Sequence, residues 1–317
     1  MSVSQNKNSA GKSEFMRSLM SRFESFKRTF YFLTRSPLAV TGLIITIFYI
    51  LLAIFGDFFV RGNPWTMVQV LEYNGQYIYN TPLPPSSAFP FGTTYGGYDI
   101  FNGIIKGARV DEGVAAIIVI TGALTGVILG SIAGYFGGII DDIVMRVTDV
   151  FLSIPGLVLL IAFMAILGRK LEILVFGFIV IWWPGYTRII RGQVLSLREL
   201  KYVEASKAAG ASAFRIITKH LIPNAIYPVF VQVSLDFGNV ILSLATLDYL
   251  GFGFAGQNLA EWGNIIGLAT HGASGVLSIE NYPWTVTIPG LVILIFVLSL
   301  NFLGDGLRDV LDPKMRR

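Results

Sequence analysis

The sequence predicts an all-α integral membrane protein with about six transmembrane helices and both termini in the cytoplasm. Three observations lead there. Of 317 residues, 53% are hydrophobic and 14% charged, where a soluble chain carries about a quarter charged. The apolar residues gather in runs close to the roughly 20 residues that cross a bilayer as a helix. When the runs alternate from an inside N-terminus, nineteen of the 24 lysines and arginines fall on the inside, the side that basic loops favour.

Residues 1–37 form a polar, basic cytoplasmic tail. Gly11, Lys12 and Ser13 resemble the end of a phosphate-binding loop, but Asn6 stands where that motif needs glycine, and no apolar strand precedes it. The tail is therefore read as a flexible basic segment near anionic headgroups. The first apolar run, 38–55, leads into Gly56-Asp57-Phe58-Phe59 rather than a small-residue cleavage site, so 38–60 is read as a retained anchor helix. An ordered external loop, 61–112, follows, turn-rich at Thr81-Pro82-Leu83-Pro84-Pro85. Its tyrosines 73, 77, 79, 95 and 98 form either an aromatic surface for a sugar- or peptide-binding protein or an interfacial belt.

A transmembrane core is expected over 113–303, with spans at 113–140, 150–168, 173–187 (extended through Ile190, with Arg188 at the interface), 225–247 and 284–303. The core holds a cytoplasmic loop at 191–223 and a glycine-rich outer loop at 251–283, and a cytoplasmic tail, 304–317, ends the chain. No internal repeat suggests an inverted-repeat transporter. The chain has no cysteine and two histidines, His220 and His271, far apart in sequence. That removes thiol chemistry and leaves thin material for a metal centre or acid–base catalysis. His271 is read as a surface or interface residue. The net charge of +4 sits beside apolar runs, which points to membrane orientation rather than nucleic acid.

The cytoplasmic loop reads as two short helices. Ser196 and Glu199 have capping-box spacing, so a helix can start near Leu197 and run through Ala209, with Gly210 in the left-handed position after its end. Ser212 can cap a second helix from Ala213 to about Leu221, and Pro223 blocks continuation. Ala205, Ser206, Ala208 and Ala209 are small enough for another backbone to approach, with Glu204 and basic residues around them. This patch is either a docking surface or a solvated hairpin.

Glu204-Ala205-Ser206, Gly210 and Ile222-Pro223 resemble the EAA loop of ABC importer permeases, and His220 with Pro223-Asn224 resembles the dipeptide and oligopeptide branch. The resemblance covers about 89–314. It includes Tyr135-Phe136-Gly137-Gly138, Asp141, Met145-Arg146, Asp149, Trp183-Pro184-Gly185-Tyr186, Arg188, Arg191-Gly192, Trp262-Gly263-Asn264 and Asn301 through Asp309. It implies a type I importer permease core of five helices plus an N-terminal anchor helix. It also implies a second permease chain, distinct in sequence so as to form a heterodimer, two ABC ATPase subunits and an extracellular or periplasmic binding protein. ATP and Mg would sit on the ATPase chains, so this chain needs no cofactor and performs no catalysis. Glu204, Ala205, Ser206, Ala208, Ala209, Gly210, Ile222 and Pro223 would dock on the ATPase. Members of the family carry peptides, nickel chelates or oligosaccharides. The family's outer Gly-Thr-Asp-x-x-Gly-Arg-Asp run appears here as Gly92 through Asp99 with two charges lost, and its frequent fifth-span glutamate is Leu244.

Asp236, with Gln232 and Asn239, sits mid-span, where an aspartate costs about 2.5–3.5 kcal/mol. Two roles are open: lining the pathway for a cationic or hydroxylated substrate, or a hydrogen bond at a subunit interface, which is favoured. The rival class is an ion-gradient-driven secondary transporter or a channel subunit, which needs no ATPase. A membrane-embedded enzyme lacks the clustered histidines and paired intramembrane carboxylates it would use.

Overall fold

The computed structural model describes residues 34–60, 62–63, 65–253, 259–271 and 280–311. The tail containing Gly11, Lys12 and Ser13, together with Arg61, the His271 side chain and everything past 311, lies outside the described residues. The all-α membrane class holds: five helices are long and apolar enough to span, or six if a bent pair counts as one span.

Helix α1 (Pro37–Phe55) starts where the Ser36 side chain accepts the Ala39 N–H and Pro37 needs no donor. It is apolar all round. Only Ala39, Gly42, Thr46 and Tyr49 are buried, along one edge, and this edge meets α11 (Trp284–Leu311). A Cβ on Gly42 would stand 2.5 Å from the Ser299 carbonyl oxygen, so the two backbones nearly touch. The Thr46 and Ser299 hydroxyls are 3.1 Å apart, and Tyr49 donates to the Val292 carbonyl at 2.9 Å. Lipid gives apolar helices no reason to pair, so close approach and hydrogen bonds hold this contact.

Helix α2 (Ile100–Phe136) corrects the expected span of 113–140 at both ends. Its charged first turns looked like loop, but Lys106, Arg109 and Asp111 each have a partner. Lys106 donates to the Thr66 carbonyl, Arg109 pairs with Asp57, and Asp111 accepts the Trp262 N–H. The far end stops at Gly137, whose φ of 65° turns the chain. Along α2, Gly122, Gly126, Gly130 and Gly134 recur every fourth residue. They form a groove into which α5 (Leu171–Leu197) settles, with Gly130 facing the Thr187 carbonyl and Gly134 facing Val194.

The expected straight span 150–168 is instead two helices, α3 (Gly138–Ser153) and α4 (Gly156–Leu167), bent by 82°. Ile154 is extended before Pro155, as the proline ring requires. Helix α5 passes Ile190 and continues to Leu197, with Arg188 and Arg191 paired to Asp149 and Asp141 on α3. Helix α9 (Tyr227–Tyr249) packs against α11. The segment 251–283 is not all loop, since it contains α10 (Trp262–His271). Trp262 at its head is fully buried, donates to the Ile104 carbonyl at 2.9 Å, and meets the Tyr49 and Phe296 rings.

The loop before α2 holds the only β-ladder among the described residues: a hairpin of β1 (Glu72–Tyr73) and β2 (Gln76–Tyr77). Asn74 and Gly75, at φ 53° and 76°, make the tight turn that suits the strands' twist. The expected tyrosine surface is corrected. Tyr95 and Tyr98 are buried and Tyr73 packs on Phe89, so Tyr77 and Tyr79 alone of the five form an exposed stack. Asp99 ends the loop by accepting the N–H groups of Phe101 and Asn102. Burial pushes its carboxyl up, and those two N–H groups oppose the shift.

Candidate functional site

The loop between α5 and α9 opens differently from its capping-box reading. Ser196 bonds back to the Gly192 carbonyl and helix α5 runs through it, so the new helix α6 (Lys201–Ala208) starts later, after an extended Leu200. Its far end follows the expected rule. Gly210 has a φ of 77°, and the N–H groups of Gly210 and Ala211 bond the carbonyls of Lys207 and Ser206. Ser212 accepts the Arg215 N–H and starts α7 (Ala213–Ile216). Pro223 does not stop the chain as expected. A π-helical turn, Ile217–Leu221, absorbs it, and α8 (Ile222–Ala225) carries Pro223 in its first turn where no donor is needed.

The loop is pinned to the bundle by Val203, Ile216 and Leu221, all fully buried. With Val203 turned inward, Glu204, Ala205, Ala208, Ala209 and Gly210 are exposed, and Ser206 is half-buried, spending its hydroxyl on the Tyr202 carbonyl. A Cβ on Gly210 would meet nothing within 4 Å. Lys207 lies over the Tyr135 ring at the end of α2, and Tyr202 lies near the His220 ring. Ile222 is half-buried and Pro223 exposed, on the return toward α9.

Sequence reasoning missed the ties behind this loop. Asp141 on α3 accepts two bonds from Arg191 on α5, at 2.5 and 2.6 Å, and Asp149 accepts from Arg188 at 2.6 Å. All four residues carry the family resemblance, but nothing in their spacing showed that they pair.

Asp236 is buried within this chain. Its Oδ1 accepts from Gln232 at 2.9 Å and Asn239 at 3.3 Å, both on α9, and Tyr186 of α5 is its neighbour. The three polar residues thus form a cluster along one helix. A second buried acidic group also went unread. Glu261 accepts the N–H groups of Gly263 and Asn264, and Asp111 accepts that of Trp262, so two carboxylates cap the first turn of α10. Asp248 lies against the same Glu261. Among the described residues, no group of three His, Asp or Glu side chains is arranged to hold a metal ion.

Comparison with known proteins bears on the whole chain. Residues 126–317 match the family model described as binding-protein-dependent transport system inner membrane component. Residues 25–85 match the N-terminal TM domain of oligopeptide transport permease C. A dipeptide transport system permease protein of Alkalihalophilus pseudofirmus is 39% identical over 92% of this chain and 90% of its own. The oligopeptide transport system permease protein of Bacillus subtilis is 37% identical over 89% and 87%. A solved chain of the MetNI methionine ABC transporter, inward facing, overlaps at a TM-score of 0.49 and 19% identity, covering 66% of this chain and 97% of that one. This chain belongs to the family of binding-protein-dependent transport system inner membrane components, the permease subunits of ABC importers.

Proposed function

We propose that this chain forms half of the substrate pathway of an ATP-driven importer and is driven through α6 by a separate ATPase. The carrying observation is the exposed small-residue face of α6, fixed in place by Val203 and closed by Gly210. A partner cleft can grip such a face closely, and a rigid helix passes on the push it receives. A second permease chain completes the pathway, two ATPase chains hold ATP and Mg, and an external binding protein delivers cargo. The chain sits in the cell membrane with both termini inside, as the nineteen inside basic residues favour. ATP closure draws the docking loops together and turns the pathway outward, and hydrolysis resets it.

Two relatives named for dipeptide and oligopeptide transport support a peptide cargo. Oligosaccharides are the alternative, and a ligand panel on the binding protein separates the two. Because the chain has no cysteine, Ala205→Cys gives a single thiol for cross-linking. In the assembled complex it should join to the ATPase, and ATP should change the yield. Peptide uptake should stop without ATP and survive collapse of ion gradients. Uptake that follows an ion gradient, with no cross-link to the ATPase, would establish the secondary-transporter reading instead.

A further inference from the structure

Helix α3 is jointed at both ends. It leaves α2 through Gly137 and Gly138, whose φ angles of 65° and 55° lie in the left-handed region, and it meets α4 at the 82° bend. Its place is therefore set by what its sides touch. One face, with Ile139, Ile143, Val147 and Val150, is exposed. The opposite face lies on α5, where Thr148 is buried and the Phe151 ring meets Trp183 edge-on at 5.7 Å. Two ion pairs bridge the same contact. Arg188 and Asp149 are more than half exposed and share one bond, whereas Asp141 is 13% exposed and takes a two-pronged grip from Arg191. A fork of this kind fixes orientation as well as distance, and shielding spares it the screening that weakens open surface pairs.

The same stretch of α5 leads straight into the docking loop. Only residues 198–200 separate it from α6, and Arg198 holds the Gly134 carbonyl at 2.9 Å. We infer that Asp141 and Arg191 are positioning residues that make α3 follow α5 when α6 is pushed, so that movement of the docking loop reaches the bend between α3 and α4. This rests on the coupling role proposed for α6.

The test uses the assembled transporter with spin labels on introduced cysteines, in a complex whose other chains offer no accessible thiol. One pair, Ala208→Cys with Ile128→Cys, reports α6 against α2. The other, Ile143→Cys with Ile128→Cys, reports α3 against α2. With ATP and vanadate, both distances should change in the parent chain. In Asp141→Arg the α6 distance should still change while the α3 distance stays fixed. Peptide carried per ATP hydrolysed should then fall about fivefold to tenfold, within the range of coupling between linked sites. Asp141→Arg combined with Arg191→Asp should restore both. If Asp141→Arg does not assemble, Asp141→Asn, which keeps the shape and loses the charge, should show a partial loss of the α3 response. The inference is overturned if α3 responds as fully in the single variants as in the parent chain, or if the assembled charge swap stays unresponsive. A parent chain whose α6 distance ignores nucleotide would remove the coupling reading itself.

Discussion

Gly210 separates backbone strain from steric bulk, because it has a φ of 77° and open space around its missing Cβ. A left-handed conformation costs an ordinary residue about 1–2 kcal/mol, while asparagine tolerates it through local hydrogen bonding. Gly210→Asn should therefore leave transport near the parent level, Gly210→Ala should lower it, and Gly210→Val should lower it most, with ATP hydrolysis continuing and membrane insertion unchanged. Uptake and hydrolysis measured on the same proteoliposomes check the order, and parent-level transport by Gly210→Val would count against a coupling role for this turn. Gly210 and Ser212 were legible in the sequence because their jobs are local, settled within three to five residues by capping geometry. The Asp141–Arg191 fork spans 50 residues and the bond from Trp262 to Asp111 spans 151. No local rule reaches that far, so those charges looked like loop or interface residues until the packing was known.

At the scale of elements, most boundaries that moved did so for electrostatic reasons. The start of α2 and the end of α5 were placed too close to their apolar cores because each carries charges, and a partner offsets part of the cost of a charge in a span. Lys106, Arg109, Asp111, Arg188 and Arg191 all have partners from other parts of the chain. The bend at Pro155 and the hairpin at Asn74-Gly75 did carry local signals, a proline after a β-branched residue and an Asn-Gly turn. So did the four-residue glycine spacing on α2. That spacing makes a sharp prediction. A Cβ on Gly130 would stand 2.5 Å from the Thr187 carbonyl oxygen and 3.1 Å from the Arg191 nitrogen, and both are backbone atoms that cannot swing aside. Gly130→Leu should force α2 and α5 apart at a cost of about 1–3 kcal/mol or more. Gly113→Leu on the same helix, where nothing lies within 4 Å, serves as the control. The thermal midpoint of the purified chain should drop for the first and hold for the second, and equal midpoints would show that the groove is not what seats α5.

For the molecule as a whole, the bundle fixes which ends of the helices share a side, and charge decides which side faces the cytoplasm. The β-hairpin, α10 and the head of α2 gather at one end, tied by the bond from the Ala260 N–H to the Trp65 carbonyl and by those from Trp262. The loop that carries α6 and α7 lies at the other end of α5, and it holds Arg198, Lys201, Lys207, Arg215 and Lys219. Carrying so many basic residues across the bilayer is disfavoured, so the loop end should stay inside and the hairpin should emerge outside. The cysteine-free sequence makes this directly measurable. Tyr77→Cys on the hairpin is 66% exposed and Phe214→Cys on α7 is 78% exposed, so both thiols are open to reagent. A maleimide that cannot cross membranes should label Tyr77→Cys in intact cells and Phe214→Cys only after permeabilisation. Co-assembly with the ATPase should then protect the Phe214 site, since α7 lies directly beyond the face of α6 proposed to dock, and leave the Tyr77 site reactive. Labelling of Phe214→Cys in intact cells would reverse the orientation and take the ATPase-facing role of α6 with it, because ATP is supplied from the cytoplasmic side alone.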